Sequence, residues 1–258
     1  MVTDSERSDP TRESSVLLRG LAILGCFDSP MPVITASAIV KQTGLPPATV
    51  HRILTILIEG GAVERVSRGS YRLGLKMWRL GSSVPQARVL RDVALPFLED
   101  LYETTHEVVH LAVRDGLETL YIEKISGRGA VSVTSRVGRR LPLHATGPGK
   151  VLLAYGPRDV FDQLVARGLP ALTPQTITDP DAIRRSIAEI RRSGYALSRE
   201  ESSVGTASVA APIFGSLREI IASVSVVVPA STFNPWTLAP VVRAVALGIS
   251  RGMGAPSR

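Results

Sequence analysis

The segment VITASAIVKQTGLPPATVHRILTILIEG, residues 33–60, governs how the whole chain is interpreted. It splits into two short helices joined by a tight turn. The first is predicted over residues 35–43, with Ala38, Ile39 and Val40 inward. Gly44 stops it, because glycine just past a helix end takes the left-handed conformation that satisfies the last carbonyls. Leu45 is the apolar residue of the turn. Pro46 and Pro47 follow, and proline suits the first position of a helix, where its missing N–H costs nothing. The second helix, residues 47–60, carries Val50, Ile53, Leu54 and Leu57 at the i, i+3, i+4, i+7 spacing of a half-buried helix. Ala48, Arg52 and Thr55 face the opposite way, flanked by Thr49 and His51. A short, polar, positively charged outer face on the second helix of such a pair suits a major groove. An ordinary helical hairpin has the same periodicity, so the flanking residues carry the distinction.

On the N-terminal side, Ser14 and Ser15 can cap a helix carrying Val16, Leu17, Leu21, Ile23, Leu24 and Phe27, ending at residues 28–30. On the C-terminal side, short strands at 62–66 and 71–73 flank Ser67, Arg68, Gly69 and Ser70, a hairpin turn signal. Three helices followed by a basic hairpin make a winged helix-turn-helix. Arg65, Arg68 and Arg72 on the wing would meet phosphates or a minor groove. Residues 74–83 read as a short linking helix. Its Met77, Trp78 and Leu80 have little to pack on in a lone winged helix, so a contact between subunits is expected there. Pro85 marks the boundary. The expected organisation is a disordered leader at 1–13, a winged helix-turn-helix domain at 14–75, a linker helix at 76–87 and a second domain at 88–258.

Bulk properties agree. A chain of 258 residues suggests two domains. Its 44% hydrophobic content supports proper cores, and few aromatics mean that these rest on Val, Ile, Leu and Ala. No run approaches the ~18 uninterrupted apolar residues of a membrane span. The polar N-terminus lacks the apolar core of a signal peptide. Cys26, the single cysteine, excludes an intrachain disulfide and fits a reducing cytoplasm. It lies in an apolar helical run, as a packed thiol would. The net charge of +7 is uneven: residues 14–84 hold eight Lys and Arg against three acids, and residues 85–258 hold twenty against sixteen. The denser positive charge sits with the helix pair and favours a polyanion there.

The second half reads as α/β. An amphipathic helix at about 88–104 turns Leu90, Val93, Ala94, Phe97, Leu98 and Leu101 inward, with Pro96 as a kink. Strands are expected at 108–113, 120–125, 131–134, 206–214 and 220–228, and helices at 147–154, 159–166, 179–194 and 235–251.

Over residues 14–249 the chain resembles the IclR-type bacterial transcription regulators. The N-terminal matches are LLRGLAILGCF, TGLPPATVHRILTILIEGGAVER and SYRLG; the C-terminal ones are LYIEKISG, LPLHATGPGKVLLA and GYALSREESSVGTASVAAPIF. LPLHATGPGK and GYALSREESSVG at this spacing are the specific part. The resemblance implies a C-terminal effector domain with a six-stranded antiparallel sheet flanked by helices, sensing a small molecule. It also implies homodimers, often paired into tetramers, on palindromic double-stranded DNA. No catalytic residue, metal or cofactor is called for.

Two motifs need weighing. His106-Glu107-Val108-Val109-His110 matches H-E-x-x-H, whose zinc hydrolase chemistry needs both histidines one turn apart on a helix. Here the β-prone residues 108–113 put His110 in a strand, and rings four strand residues apart would lie roughly 13 Å from each other. A metal-dependent hydrolase is the alternative function, and no third ligand follows. Gly147-Pro148-Gly149-Lys150 fails as a phosphate loop, since His144 and Val151 stand where it needs Gly and Ser or Thr. Thr146, Gly147 and Pro148 do open a helix whose N–H groups and dipole could receive a carboxylate. The resemblance implies the effector at this helix start. By matching positions, Ser198 stands where small-acid sensors of the family often have Asp, and Ser208 where they often have Cys. Ser225 matches a polar position of the next strand, and Val227 replaces a second serine. These departures disfavour a very small oxoacid and suit a larger, partly apolar organic acid, an aromatic one included. Val133, Leu141 and Val227 would enclose its apolar part.

Overall fold

The computed structural model describes residues 15–27 and 33–256. The expected leader, the capping role of Ser14 and the helix stop at 28–30 lie outside the described residues. The chain divides into two compact units, Met1–Val84 and Pro85–Arg258.

The first unit contains α1 (Val16–Gly25), β1 (Ile34–Thr35), α2 (Ala36–Thr43), α3 (Pro47–Glu59), β2 (Val63–Ser67), β3 (Ser70–Leu73) and α4 (Leu75–Gly81). Thr35 caps α2, its side chain accepting from the Ala38 N–H at 3.2 Å. Gly44, at φ +67°, closes α2 with its N–H on the Val40 carbonyl. Ile23 of α1, Ile39 of α2 and Val50, Ile53 and Leu54 of α3 meet Val63 and Tyr71 of the hairpin in one core. Cys26 belongs to this core, and burial pushes its thiol up, away from the reactive thiolate. The hairpin is longer than its residues suggested: Ser67 pairs with Ser70, leaving Arg68 and Gly69 as the turn. Strand β1, not read from the sequence, adds to β3 through Ile34 and Tyr71.

The second unit contains α5 (Pro85–Thr105), β4 (Val108–Asp115), β5 (Glu118–Ile125), β6 (Arg140–Pro142), a 3-10 turn (Leu143–Ala145), α6 (Gly147–Tyr155), α7 (Arg158–Arg167), α8 (Pro180–Ser193), β7 (Ala196–Arg199), β8 (Thr206–Phe214), β9 (Ile220–Pro229) and α9 (Pro235–Gly252). Its strands form a six-stranded antiparallel sheet in the order β6-β5-β4-β9-β8-β7. Side chains alternate between the faces of a strand, and here the faces differ in chemistry. Val109, Leu111, Val209, Ala211, Val224 and Val226 pack against Leu98 and Leu101 of α5 and Val242 and Ile249 of α9. The opposite face carries His110, Ser198, Ser208 and Ser225 beneath α6.

One expected strand is absent: residues 131–134 are coil. They add no ladder to the sheet, although β6 covers only Glu118–Leu120 of β5. The segment is instead tied by side chains, with Thr134 and Ser203 hydroxyls 3.2 Å apart and Ser135 on His110. Among the described residues no helix is long and apolar enough to cross a membrane.

Candidate functional site

All nine residues selected for an effector pocket line one cavity in the second unit: Val133, Leu141, Thr146, Gly147, Pro148, Ser198, Ser208, Ser225 and Val227. The ladders explain the convergence. Ser198 pairs with Ser208 and Ser208 with Val227, so three strands present one row of side chains; His110 and Ser225 form the next row. Helix α6 starts directly above. A Cβ on Gly147 would stand 2.6 Å from Ser208 Oγ, so only glycine lets the helix approach β8 this closely. The unfilled space is about 390 Å3 including its open mouth, and the centre of a water molecule can reach about 20 Å3 of it.

The helix start is less generous than its residues suggested. Thr146 Oγ1 takes the Gly149 N–H at 3.0 Å, and Pro148 has no N–H. Gly147 N–H is the donor that neither the cap nor the proline removes. Thr146 also shares a bond with the Thr119 hydroxyl at 3.1 Å, which locks it as a cap.

Sequence reasoning missed His110, Tyr121 and Ser135 in the lining. His110 Nε2 lies 2.8 Å from Ser135 Oγ, and its ring meets the Tyr121 ring edge-on at 4.9 Å. Burial, with Lys124 nearby, lowers the imidazole to about 3, so His110 is neutral. Burial raises the Tyr121 phenol far above its usual range, so it too stays uncharged. The cavity floor therefore offers neutral hydrogen bonds rather than charge.

A second feature had no sequence signal. Lys150 of α6 forms an ion pair with Glu201, with side chains 3% and 6% exposed. The Thr173 and Thr176 hydroxyls donate to the Glu200 and Glu201 carbonyls at 2.6 Å each. This holds the segment after β7, which brings Ser202 and Ser203 to the cavity mouth.

The H-E-x-x-H segment straddles a junction. Helix α5 ends at Thr105, His106 takes φ +53° and β4 begins at Val108. His106 is exposed and packs on Tyr102, whereas His110 is buried in the sheet on Ser135. Zinc-protease geometry is lost, and among the described residues no cluster of three His, Cys, Asp or Glu could hold a metal.

In the first unit, α3 exposes Ala48, His51, Arg52 and Thr55 and half-buries Thr49. The Thr55 hydroxyl donates back to the His51 carbonyl at 3.1 Å, keeping its lone pairs outward. On the wing, Arg65 and Arg68 are exposed, but Arg72 differs from expectation. Its guanidinium pairs with Glu64 across the hairpin at 2.7 Å, because Glu64 and Arg72 are directly opposed in the ladder. Its charge is already matched, which leaves Arg65 and Arg68 as the wing's outward cations.

Residues 16–67 match the IclR helix-turn-helix domain, and residues 83–251 match the bacterial transcriptional regulator IclR C-terminal domain. The HTH-type transcriptional regulator XynR of Escherichia coli is 34% identical over 244 residues, covering 93% of this chain and 97% of that protein. The HTH-type transcriptional regulator KipR of Bacillus subtilis is 33% identical over 247 residues, covering 94% and 98%. An IclR homolog from Microbacterium hydrocarbonoxydans, crystallised with 4-hydroxybenzoate, superposes with a TM-score of 0.84 at 34% identity, covering 93% of this chain and 99% of that one. With both domain models matched and full-length relatives above 30% identity, the chain belongs to the IclR family of bacterial transcriptional regulators, with a DNA-binding domain and an effector domain and no enzymatic role.

Proposed function

We propose that this regulator acts in the cytoplasm as a homodimer or tetramer on palindromic operator DNA of a metabolic, and specifically catabolic, operon, under the control of a small organic acid, an aromatic one in particular. The observation that carries the effector reading is the meeting of the α6 start with three serines in one cavity. The Gly147 N–H and the positive helix end suit a carboxylate. Ser198 and Ser208 add hydroxyls, and Val133, Leu141 and Val227 supply apolar wall. The 4-hydroxybenzoate held by the Microbacterium relative supports an aromatic acid. Because the centre of a water molecule can reach only about 20 Å3 of the cavity, such a ligand must widen it where the coil at 133–135 and Ser202–Ser203 are held by side chains rather than a ladder.

On DNA, the reading places α3 in the major groove with Ala48, Thr49, His51, Arg52 and Thr55 toward it, and Arg65 and Arg68 toward phosphates. Palindromic half-sites require paired readers. The apolar side chains that α1 and α4 leave exposed, Leu17 at 71% and Trp78 at 73% among them, suit a contact between copies.

A thermal-shift screen of carboxylic acids tests the effector reading, followed by operator binding with and without the hit. The hit should raise the melting temperature by mass action and change operator affinity by about 1–3 kcal/mol. Val227→Phe should fill the cavity, abolishing both effects while operator binding persists. Normal response in that variant would place the ligand elsewhere. Monomers by light scattering at micromolar concentration would overturn the assembly.

A further inference from the structure

Two polar atoms beside the cavity have no protein partner: His110 Nδ1 and Ser225 Oγ. Their residues are directly opposed in the β4–β9 ladder, both line the cavity, and they are 1% and 0% exposed. Buried polar groups of folded proteins are almost always paired, so two adjacent ones facing the same space point to a partner arriving from outside the chain. The shelf is also rigid. Ser135 Oγ holds His110 Nε2 at 2.8 Å, and Lys124 donates to the Ser135 carbonyl at 3.3 Å. A neutral imidazole carries one N–H and one lone pair, and a serine hydroxyl both donates and accepts. The pair therefore suits a neutral group that can do both, a hydroxyl above all.

The spacing limits the ligand further. Gly147 and Ser208, at the carboxylate end, are close enough that a Cβ on Gly147 would lie 2.6 Å from Ser208 Oγ. Ser225 lies one strand over and two residues along from Ser208, through its partner Val227. With strands about 4.8 Å apart and about 3.4 Å per residue, that is a separation of roughly 8 Å. An acid carrying its hydroxyl on the neighbouring carbon is too short to reach both ends. A benzene ring with substituents at opposite corners spans them, with Val133, Leu141 and Val227 on its faces.

We infer that the cavity reads two groups: its effector is a para-hydroxylated aromatic acid, with the carboxylate at the start of α6 and the hydroxyl between His110 and Ser225. This rests on the organic-acid reading above and adds two specificity-determining residues to it.

The test compares 4-hydroxybenzoate with benzoate by calorimetric titration of the full chain, in the wild type and in Ser225→Ala. The wild type should bind the hydroxylated acid at least tenfold more tightly. Ser225→Ala should narrow that ratio severalfold by weakening 4-hydroxybenzoate while benzoate affinity stays put. Ser225 Oγ has no protein partner to lose, so the unliganded melting temperature should stay level or rise, which separates a ligand contact from a structural role. His110→Phe, if it folds, should narrow the ratio as well. Equal affinity for the two acids, or equal weakening of both in Ser225→Ala, overturns the shelf and leaves the acid reading standing. Binding of other acids but not of 4-hydroxybenzoate has the same consequence. Failure of every carboxylic acid in the screen overturns both.

Discussion

Replacing Lys150 by methionine probes the contact that ties α6 to the segment after β7. Lys150 Nζ pairs with Glu201 Oε1, and Glu201 Oε2 has no protein partner. Methionine keeps the length of the side chain and removes its charge, so a buried carboxylate is left alone. Breaking a buried pair by deleting one partner costs about 3–5 kcal/mol. For a unit the size of Pro85–Arg258, each kcal/mol moves the midpoint by about 2–4 °C, so the expected drop is roughly 6–20 °C. Lys150→Met combined with Glu201→Leu should recover most of this, because apolar replacement of a whole buried pair is often neutral. Scanning calorimetry of the full chain measures both, with Leu98→Ala, in the core of this unit, identifying its transition. A Lys150→Met protein melting within about 2 °C of wild type would show that the charges are solvated. A double variant no better than the single one would show that the burial of an uncompensated carboxylate is the wrong cause.

Other consequences are equally measurable. Arg52→Ala should weaken specific operator binding by roughly 1–3 kcal/mol if it reads a base edge, whereas Arg68→Ala should weaken all sequences alike and flatten the salt slope. Arg72→Ala should change the salt slope far less than Arg68→Ala, since Glu64 already matches its charge; equal effects would refute the pairing. The His110 imidazole is lowered from 6.5 to about 3 by burial and by Lys124. The unfolded chain therefore takes up a proton below pH 6.5 that the folded chain refuses, so stability should fall as pH drops from 6.5 toward 3. The loss is up to about 1.4 kcal/mol per pH unit, and urea titrations of His110→Phe should show a shallower slope. Gly147→Val should lift α6 from β8 and abolish the ligand's thermal shift, because its first carbon alone would meet Ser208 Oγ at 2.6 Å.

The helices were legible because their signals are local. Gly44, Pro47 and Asp179 act on neighbouring backbone, and the α3 stripe needs only its own residues. The short strands were not: β1, β6 and β7 have two to four residues each and exist because a longer neighbour offers them a ladder. Residues 131–134 show the converse, with strand-like composition but a side-chain tie from Thr134 to Ser203 in place of a ladder. Of the nine cavity residues, Ser198, Ser208, Ser225 and Val227 came from matching family positions and the others from the helix start and its apolar neighbours, and all of them line one cavity. Those that were missed depend on long-range pairing. His110 meets Ser135 across 25 positions, and Lys150 meets Glu201 across 51. A lysine amid GPGKVLLA hints at burial of its stem but names no partner. His110 drew attention for a metal motif that the bend at His106 dismantles.

The division of labour across the second sheet has an evolutionary consequence. On β4, β8 and β9, neighbouring positions serve different masters: Val109, Val209, Val224 and Val226 hold the domain together, while His110, Ser208 and Ser225 face the cavity. Substitutions at the cavity positions can drift without loosening the apolar layer behind them, so a lineage can try new ligands while keeping one scaffold. Insertions cannot do this. A single added residue would turn valines into the cavity and serines into the core for the rest of that strand. Diversification of such sensors should therefore proceed by point changes on alternate residues, with length changes confined to the loops around the mouth.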